Sequence, residues 1–267
     1  MLRSVMAATA VLGAACLAAP RPASPQSPVP AANPGRPTVT TPATLTPVGY
    51  LQFETGGLQA WRSPEFTSSL GLDETIRLAV SPRLQALLIS SPVAWSRAHG
   101  HNFGGAAAIA DTFVGVQALI HPGRGLDPTL ALSYLRRVSS GPAPNLDFGS
   151  PTDSLLLLAS GDWGKWHFDT NALFNRMADH GALRPQYGQT LAVSHPLRGR
   201  WSASGEIWHF TQPFLHANAT GTLWALGFAQ RKNLVWDGGF DRGLTGTSTR
   251  WEAFAGFTYL LPRRLWR

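Results

Sequence analysis

Most of the chain after residue 47 alternates apolar and polar residues with a period of two. The last third shows this most clearly, where Ser202, Ser204 and Glu206 share one face of a segment. Trp201 and Ile207 occupy its opposite face. Because successive side chains of a β-strand point to opposite sides, the pattern predicts strands with one apolar face. Aromatic residues at segment ends are typical of strands that cross a membrane, with one face toward lipid and one toward a polar lumen.

The same unit recurs from residue 48 onward, with short turns such as 81–83 and longer polar loops such as 91–108. The repeat predicts an all-β fold, an antiparallel up-and-down transmembrane β-barrel of about 12 strands, with short periplasmic turns and longer outer loops. A soluble sandwich would share the hairpins, but it has no reason to alternate loop lengths. The continuously apolar stretch 155–162 is the least typical segment. We expect 251–259 to pair with 48–55, because only a closed sheet leaves no unpaired backbone in lipid.

The first 47 residues are predicted to form an export signal followed by a linker. Residues 1–19 combine Arg3 with a run of small apolar residues, which predicts a secretory signal peptide. Cys16, the only cysteine, lies within it, so a mature chain has no thiol chemistry. Residues 20–47 are rich in Pro, Ala, Ser and Thr and lack periodicity, which predicts a disordered leader. The barrel is then expected to span 48–267.

Basic residues are spread one or two to each short turn rather than clustered, and they account for much of the net charge of +7. The set comprises Arg83, Arg124, Lys165, Arg198, Arg200, Arg231 and Lys232, with Arg263, Arg264 and Arg267 at the same end. No nucleic-acid-binding motif accompanies them. We interpret them as side chains that reach phospholipid head groups, so the predicted partners include outer-membrane lipids and exclude nucleic acid.

The polar faces of the predicted strands give a set of candidate lumen-lining residues. The set consists of Gln52, Glu54, Asp73, Arg77, His167, Asp169, Asn171, Glu206, Asp237, Arg250 and Glu252. One interpretation is a wall of cross-strand ion pairs that fix the register of the sheet. The other is a polar path or plug whose charges select solutes.

The sequence carries no catalytic, metal or cofactor signature. His99 and His101 could reach one metal ion, but no Cys or carboxylate cluster lies beside them. Ser194 and His195 are adjacent, so a strand would point them to opposite faces, and Pro196 marks a turn. Glycine-rich phosphate loops and hydrolase elbows are absent from the sequence. We therefore predict a protein that is not an enzyme and needs no cofactor or metal.

Four stretches, 37–42, 48–52, 204–213 and 250–259, resemble a known family. Together they are similar to the bacterial outer-membrane β-barrels grouped as the meta-pathway of phenol degradation, transporter-like family. The resemblance implies an outer-membrane barrel that assists passage of small, aromatic molecules, and it assigns no functional residues. One departure is that Arg267 follows Trp266, whereas barrels usually end on an aromatic residue.

These observations predict a channel or transporter-like barrel of the bacterial outer membrane that passes small aromatic or hydrophobic molecules. Its expected partners are outer-membrane lipids, the barrel assembly machinery and a small-molecule solute. Two alternatives stay open at this point. One is a membrane-embedded lipid-modifying enzyme, and the other is a structural barrel whose outer loops bind a surface.

Overall fold

The computed structural model describes residues 29–64, 66–98, 109–141, 150–179 and 181–266. The described residues form twelve strands. In chain order they are β1 Leu51–Trp61, β2 Phe66–Ser81, β3 Leu84–Ala98, β4 Thr112–His121, β5 Thr129–Ser139, β6 Ser150–Trp163, β7 Trp166–Asp179, β8 Ala182–Pro196, β9 Trp201–Gln212, β10 Ala217–Arg231, β11 Leu234–Gly243 and β12 Trp251–Leu260. Within the described part of the chain, no helix is long and apolar enough to cross a membrane.

The strands close into one antiparallel barrel in which each strand pairs with its neighbours in sequence. β12 completes the ring by pairing with β1, from Gln52 opposite Leu260 to Trp61 opposite Trp251. The closing pair predicted from the sequence is therefore confirmed, and it extends beyond Thr55. Closure leaves no sheet edge, which is the condition for a β-structure in lipid.

The strand connections gather at two ends of the barrel. At the end named here the turn end lie 82–83, 122–128, 164–165, 197–200 and 232–233. At the opposite end, named here the loop end, the described connecting residues are 62–64, 109–111, 140–141, 181, 213–216 and 244–250. Some strands reach close to one another at this end, because β7 extends to Asp179, β8 begins at Ala182, and only 213–216 separate β9 from β10. The basic set, apart from Arg267, which lies outside the described residues, is exposed at the turn end.

Polarity is reversed relative to a soluble protein. Leu157, Val116 and Leu226 are among the large apolar residues exposed on the outer wall. Gln52 and Gln85, by contrast, are fully buried on the inner wall. An outer surface of this kind is stable only against lipid, because water would penalise so much apolar area. The distribution therefore fits a barrel that spans a membrane.

Aromatic side chains mark both rims of the outer wall. Trp61 and Trp251 are paired and exposed at the loop end. Trp163 and Trp166 are paired and exposed at the turn end. Two such bands, one at each interface, are typical of transmembrane barrels.

Residues 29–50, named here the lumenal segment, lie inside the barrel. Near its start the Ala32 N–H donates to the Lys232 carbonyl at 2.8 Å, and near its end the Gly49 N–H donates to Ala79 at 2.9 Å. The predicted disordered leader is therefore wrong for residues 29–47. A proline-rich segment makes few hydrogen bonds within itself, but here the polar inner wall supplies the partners. Residues 1–28, with the predicted signal peptide, lie outside the described residues.

The apolar stretch 155–162 is a true part of β6, and the lumenal segment explains its composition. Leu157 faces outward toward lipid. Leu156 and Leu158 face inward and form a small buried cluster with Ala43 of the segment and Ala131 of β5. Both faces are apolar, so the alternation is lost where the segment docks.

Candidate functional site: the lumen and its segment

Glu206 of β9 holds the middle of the lumenal segment. Its Oε2 accepts a hydrogen bond from the Val39 N–H at 2.8 Å. Its Oε1 accepts from the Thr40 N–H at 2.8 Å and from the Thr40 hydroxyl at 2.6 Å. That hydroxyl also lies 2.7 Å from Oγ1 of Thr190. A buried carboxylate with three donors is well compensated for its loss of water.

Arg36 anchors the segment to β11, two strands along the barrel from Glu206. Its guanidinium pairs with Asp237 of β11, with Nη2 to Oδ1 at 3.2 Å. Gly56 of β1 and Gly256 of β12 face each other across the closing strand pair. A Cβ at either position would collide with the Arg36 side chain. The two glycines thus form a slot in the inner wall that admits the guanidinium.

A second buried ion pair lies beneath the start of the segment. Nε of Arg77 is 2.7 Å from Oε1 of Glu54, and both side chains are almost fully buried. The same Oε1 accepts from the Gly35 N–H at 3.2 Å and from Gln52 at 2.8 Å. The Gln52 side chain in turn exchanges hydrogen bonds with the backbone of Asn33. Wall and segment therefore share one polar network.

The remaining wall contacts follow the segment around β3, β4, β6 and β7. The Thr41 N–H donates to Asn171 at 2.7 Å, and Asn171 returns a bond to the Thr41 carbonyl. The Ala43 N–H donates to Ser160 at 2.8 Å, and the Thr46 N–H donates to Gln85 at 2.8 Å. Gln117 of β4 donates to the carbonyls of residues 42 and 43. The segment is fixed on nearly every side of the lumen.

A cavity of about 420 Å³ lies on the loop-end side of the segment, and we name it the loop-end cavity. Val39 forms part of its lining on the segment side. Leu58, Met177, Trp208 and Phe210 give it an apolar and aromatic surface. Its polar lining comprises Ser69, Asp73, Ser91, Asn175, Gln186, Gln212, Asp241, Ser248, Thr249 and Glu252. In the part of the chain that the structure describes, no Lys, Arg or His lines this cavity.

A cavity of about 230 Å³ lies on the turn-end side of the segment, and we name it the turn-end cavity. Arg36, with Pro37 and Thr38, lines it from the segment. His167 and Asp169 line it from β7. Residues 36–39 thus stand between the two cavities.

The predicted lumen-lining residues divide into three groups. Gln52, Glu54, Arg77, Asn171, Glu206 and Asp237 surround the lumenal segment. His167 and Asp169 line the turn-end cavity, while Asp73 and Glu252 line the loop-end cavity. Arg250 is the exception, because it precedes β12, is exposed and lines neither cavity.

Sequence reasoning missed three kinds of residue. Gln85 and Gln117 follow the same alternation and could have been assigned to the lumen from it. Trp208 continues the polar, inward face of β9, but an aromatic side chain is more typical of the lipid face and so was not assigned to the lumen. Arg36 and Thr40 carry no periodic signal at all, since they belong to an irregular segment.

The geometry around His167 and Ser194 does not favour nucleophilic catalysis. Both line the turn-end cavity. Nδ1 of His167 is 2.7 Å from Asp162 and Nε2 is 3.2 Å from Asp169, so neither ring nitrogen is left to accept a serine proton. His195 instead contacts the Trp166 ring, with centroids 4.5 Å apart. His99 and His101 lie outside the described residues, and the described part of the chain holds no cluster of three potential metal ligands.

Comparison with solved structures places the fold among outer-membrane barrels. The COG4313 outer membrane channel from Pseudomonas putida F1 superposes with a TM-score of 0.60 at 14% identity, covering 86% of this chain and 99% of that chain. The NanC porin gives 0.53 at 12% identity over 78% and 100% of the two chains. The KdgM porin gives 0.50 at 10% identity over 78% and 98%.

At these identities the likeness establishes the fold, and the predicted twelve-stranded antiparallel barrel is confirmed. No family model and no curated protein matches the sequence. The narrower kinship with the phenol-degradation family therefore stays a prediction.

Proposed function

We propose that the protein is a bacterial outer-membrane channel for small molecules, and that the lumenal segment closes it in this structure. The observation that carries the proposal is the pair of cavities, about 420 and 230 Å³, separated by residues 36–39. Displacement of that short piece would join them into one path. The first and last described stretches of the chain lie on the turn-end side, Ala32 against Lys232 and Leu265 against Gly49, which agrees with a periplasmic turn end and an external loop end.

The contacts that hold residues 36–40 are polar, which suits a reversible closure of the lumen. Glu206 supports Val39 and Thr40, and Asp237 supports Arg36. Water entering the lumen can replace each of these hydrogen bonds, so the net cost of release is far below their sum. Apolar docking is limited to the small cluster around Ala43.

Small aromatic or hydrophobic molecules are the solute class we assign. The loop-end cavity offers Trp208, Phe210, Met177 and Leu58 beside its polar groups. A volume of this size admits one small molecule rather than a polymer. The resemblance to the phenol-degradation barrels points to the same class. The exposed bases at the turn end would contact periplasmic-leaflet lipid head groups, and insertion would require the barrel assembly machinery.

Liposome swelling tests the closure. The double variant Arg36→Ala/Glu206→Ala removes both anchors of residues 36–40, and we expect uptake of small solutes to exceed that of the wild type by at least about tenfold. The control His121→Ala/Asp127→Ala removes an exposed side-chain pair of a turn, and its uptake should equal that of the wild type. A correctly assembled anchor variant that stays as impermeable as the wild type would refute the proposal.

A further inference from the structure

The loop-end cavity contains hydrogen-bond acceptors that the protein itself does not satisfy. Oδ1 of Asp241 and Oε1 of Gln212 are buried on the inner wall and have no hydrogen-bond donor within the described residues. Both side chains line the cavity, with exposures of 5% and 2%. Buried acceptors without donors cost free energy, so a ligand that brings donors to this cavity wall would be stabilised there.

An aromatic surface adjoins these acceptors. The Trp208 indole of β9 crosses β10 at Gly221, where a Cβ would collide with the ring. Beyond Gly221 its Nε1–H donates to Oδ2 of Asp241 on β11 at 2.6 Å. Phe210 lies against Gly188 in the same way, and the two ring centroids are 5.9 Å apart. The glycines thus permit both rings to lie along the wall.

The charge of the residues that line the cavity indicates whether the ligand's donor group is neutral or cationic. Asp73, Asp241 and Glu252 are acidic, and no basic residue is found among the described residues that line this cavity. Three buried or half-buried arginines of the described chain are already paired with other carboxylates, Arg36 with Asp237, Arg77 with Glu54 and Arg137 with Asp111. An ammonium group would satisfy the free acceptors, gain from the carboxylates and interact with the faces of Trp208 and Phe210.

We propose that the loop-end cavity binds small organic cations in which an ammonium group is joined to an aromatic or apolar body. The ammonium group contacts Asp241 and Gln212, and the apolar body packs on Trp208, Phe210 and Leu58. This inference rests on the proposed channel function, because it names the solute that the external mouth would collect. It goes beyond that function in assigning a charge preference to a defined site.

Titration calorimetry on the protein in nanodiscs of zwitterionic lipid tests the preference. The probes are benzylammonium, benzyl alcohol and benzoate, which share a ring and differ in charge. We expect benzylammonium to bind about tenfold more tightly than benzyl alcohol, and benzoate more weakly than either. Equal affinity of the wild-type protein for benzylammonium and benzyl alcohol would overturn the proposal, and this test needs no variant.

Asp241→Asn keeps the size of the side chain and removes its charge. The benzylammonium affinity should fall about tenfold while that for benzyl alcohol stays within about twofold. The control Asp127→Asn, in an exposed turn, should match the wild type. If Asp241→Asn fails to assemble, Gly221→Ala is tested in its place. Its methyl group displaces the Trp208 indole and should lower the benzylammonium affinity several-fold. An unchanged preference in the assembled variant would contradict the site.

Failure of this inference and failure of the channel function are separable. Binding is measured with the lumenal segment in place, so it does not require conduction. A protein whose anchor variant conducts solutes but shows no preference for the ammonium probe retains the channel function and loses the cation site. A protein that prefers the ammonium probe but never conducts retains the site and loses the channel function.

Discussion

The buried carboxylates in the two halves of the lumen differ in how many hydrogen bonds they receive. In the turn-end half, the carboxylate of Glu206 receives three hydrogen bonds from the lumenal segment, and Glu54 receives bonds from Gly35 and Gln52. In the loop-end half, Asp241 receives one hydrogen bond, from Trp208, and its second oxygen has none from the described protein. The turn-end half is complementary to a segment of its own chain. The loop-end half instead leaves acceptors for the ligand that we propose for the loop-end cavity.

The largest contrast should appear when each buried carboxylate is replaced by its amide. Glu206→Gln replaces one accepting oxygen by an amide NH2, a donor that faces the donors of Val39 and Thr40, so the free energy that holds the segment should fall by about 3 kcal/mol. Asp241→Asn should change it by less than about 1 kcal/mol, because that residue makes no contact with the segment. Amide exchange of Thr40 measures both. Equal effects of the two substitutions would remove the distinction between the halves.

A smaller loss is expected from the apolar contact that supports the segment. Leu156→Ala opens a gap beside Ala43 and should weaken docking by about 2 kcal/mol. Leu157→Ala, on the neighbouring lipid-facing position, leaves the segment untouched. Proteolysis of the segment in intact barrels compares the two variants. Faster cleavage is expected for Leu156→Ala alone, and similar rates would show that the cluster does not hold the segment.

The smallest effect should come from the slot that receives Arg36. Gly56→Val fills the slot and should weaken the Arg36–Asp237 pair by about 1 kcal/mol, since the guanidinium can move aside. Gly57→Val is the control, because its side chain would point to the outer wall, with only the Gly71 carbonyl at 4.0 Å. Single-channel recording should show more frequent openings for Gly56→Val than for Gly57→Val. The reverse order would contradict the assigned role of the slot.

The barrel could be predicted from the sequence because apolar and polar residues alternate regularly along each strand. Each strand must present one apolar face to lipid, and closure then follows from the need to pair every edge. The alternation also placed Glu206, Asp237 and Asn171 on the inner wall. It could not show that these residues face a segment of the chain rather than water.

The lumenal segment was misjudged because its stability is supplied by the wall. Composition describes what a segment can bury by itself, and residues 29–47 bury little by themselves. Arg36 and Thr40 acquire their roles only from Asp237, Gly56 and Glu206, which are distant in sequence. The loop-end cavity was missed for a related reason. Trp is a residue type expected on the lipid face, but Trp208 fits inside the lumen because Gly221 has no side chain to collide with its ring.

The most direct test of the account is the conductance of the barrel without its lumenal segment. A chain lacking residues 29–47, assembled and shown by heat-modifiable mobility to be folded, is compared with the full chain in planar bilayers. The account predicts a steady conductance many times that of the full chain, because the two cavities then form one path. A folded barrel without the segment whose conductance equals that of the full chain would contradict the claim that residues 29–50 close the lumen.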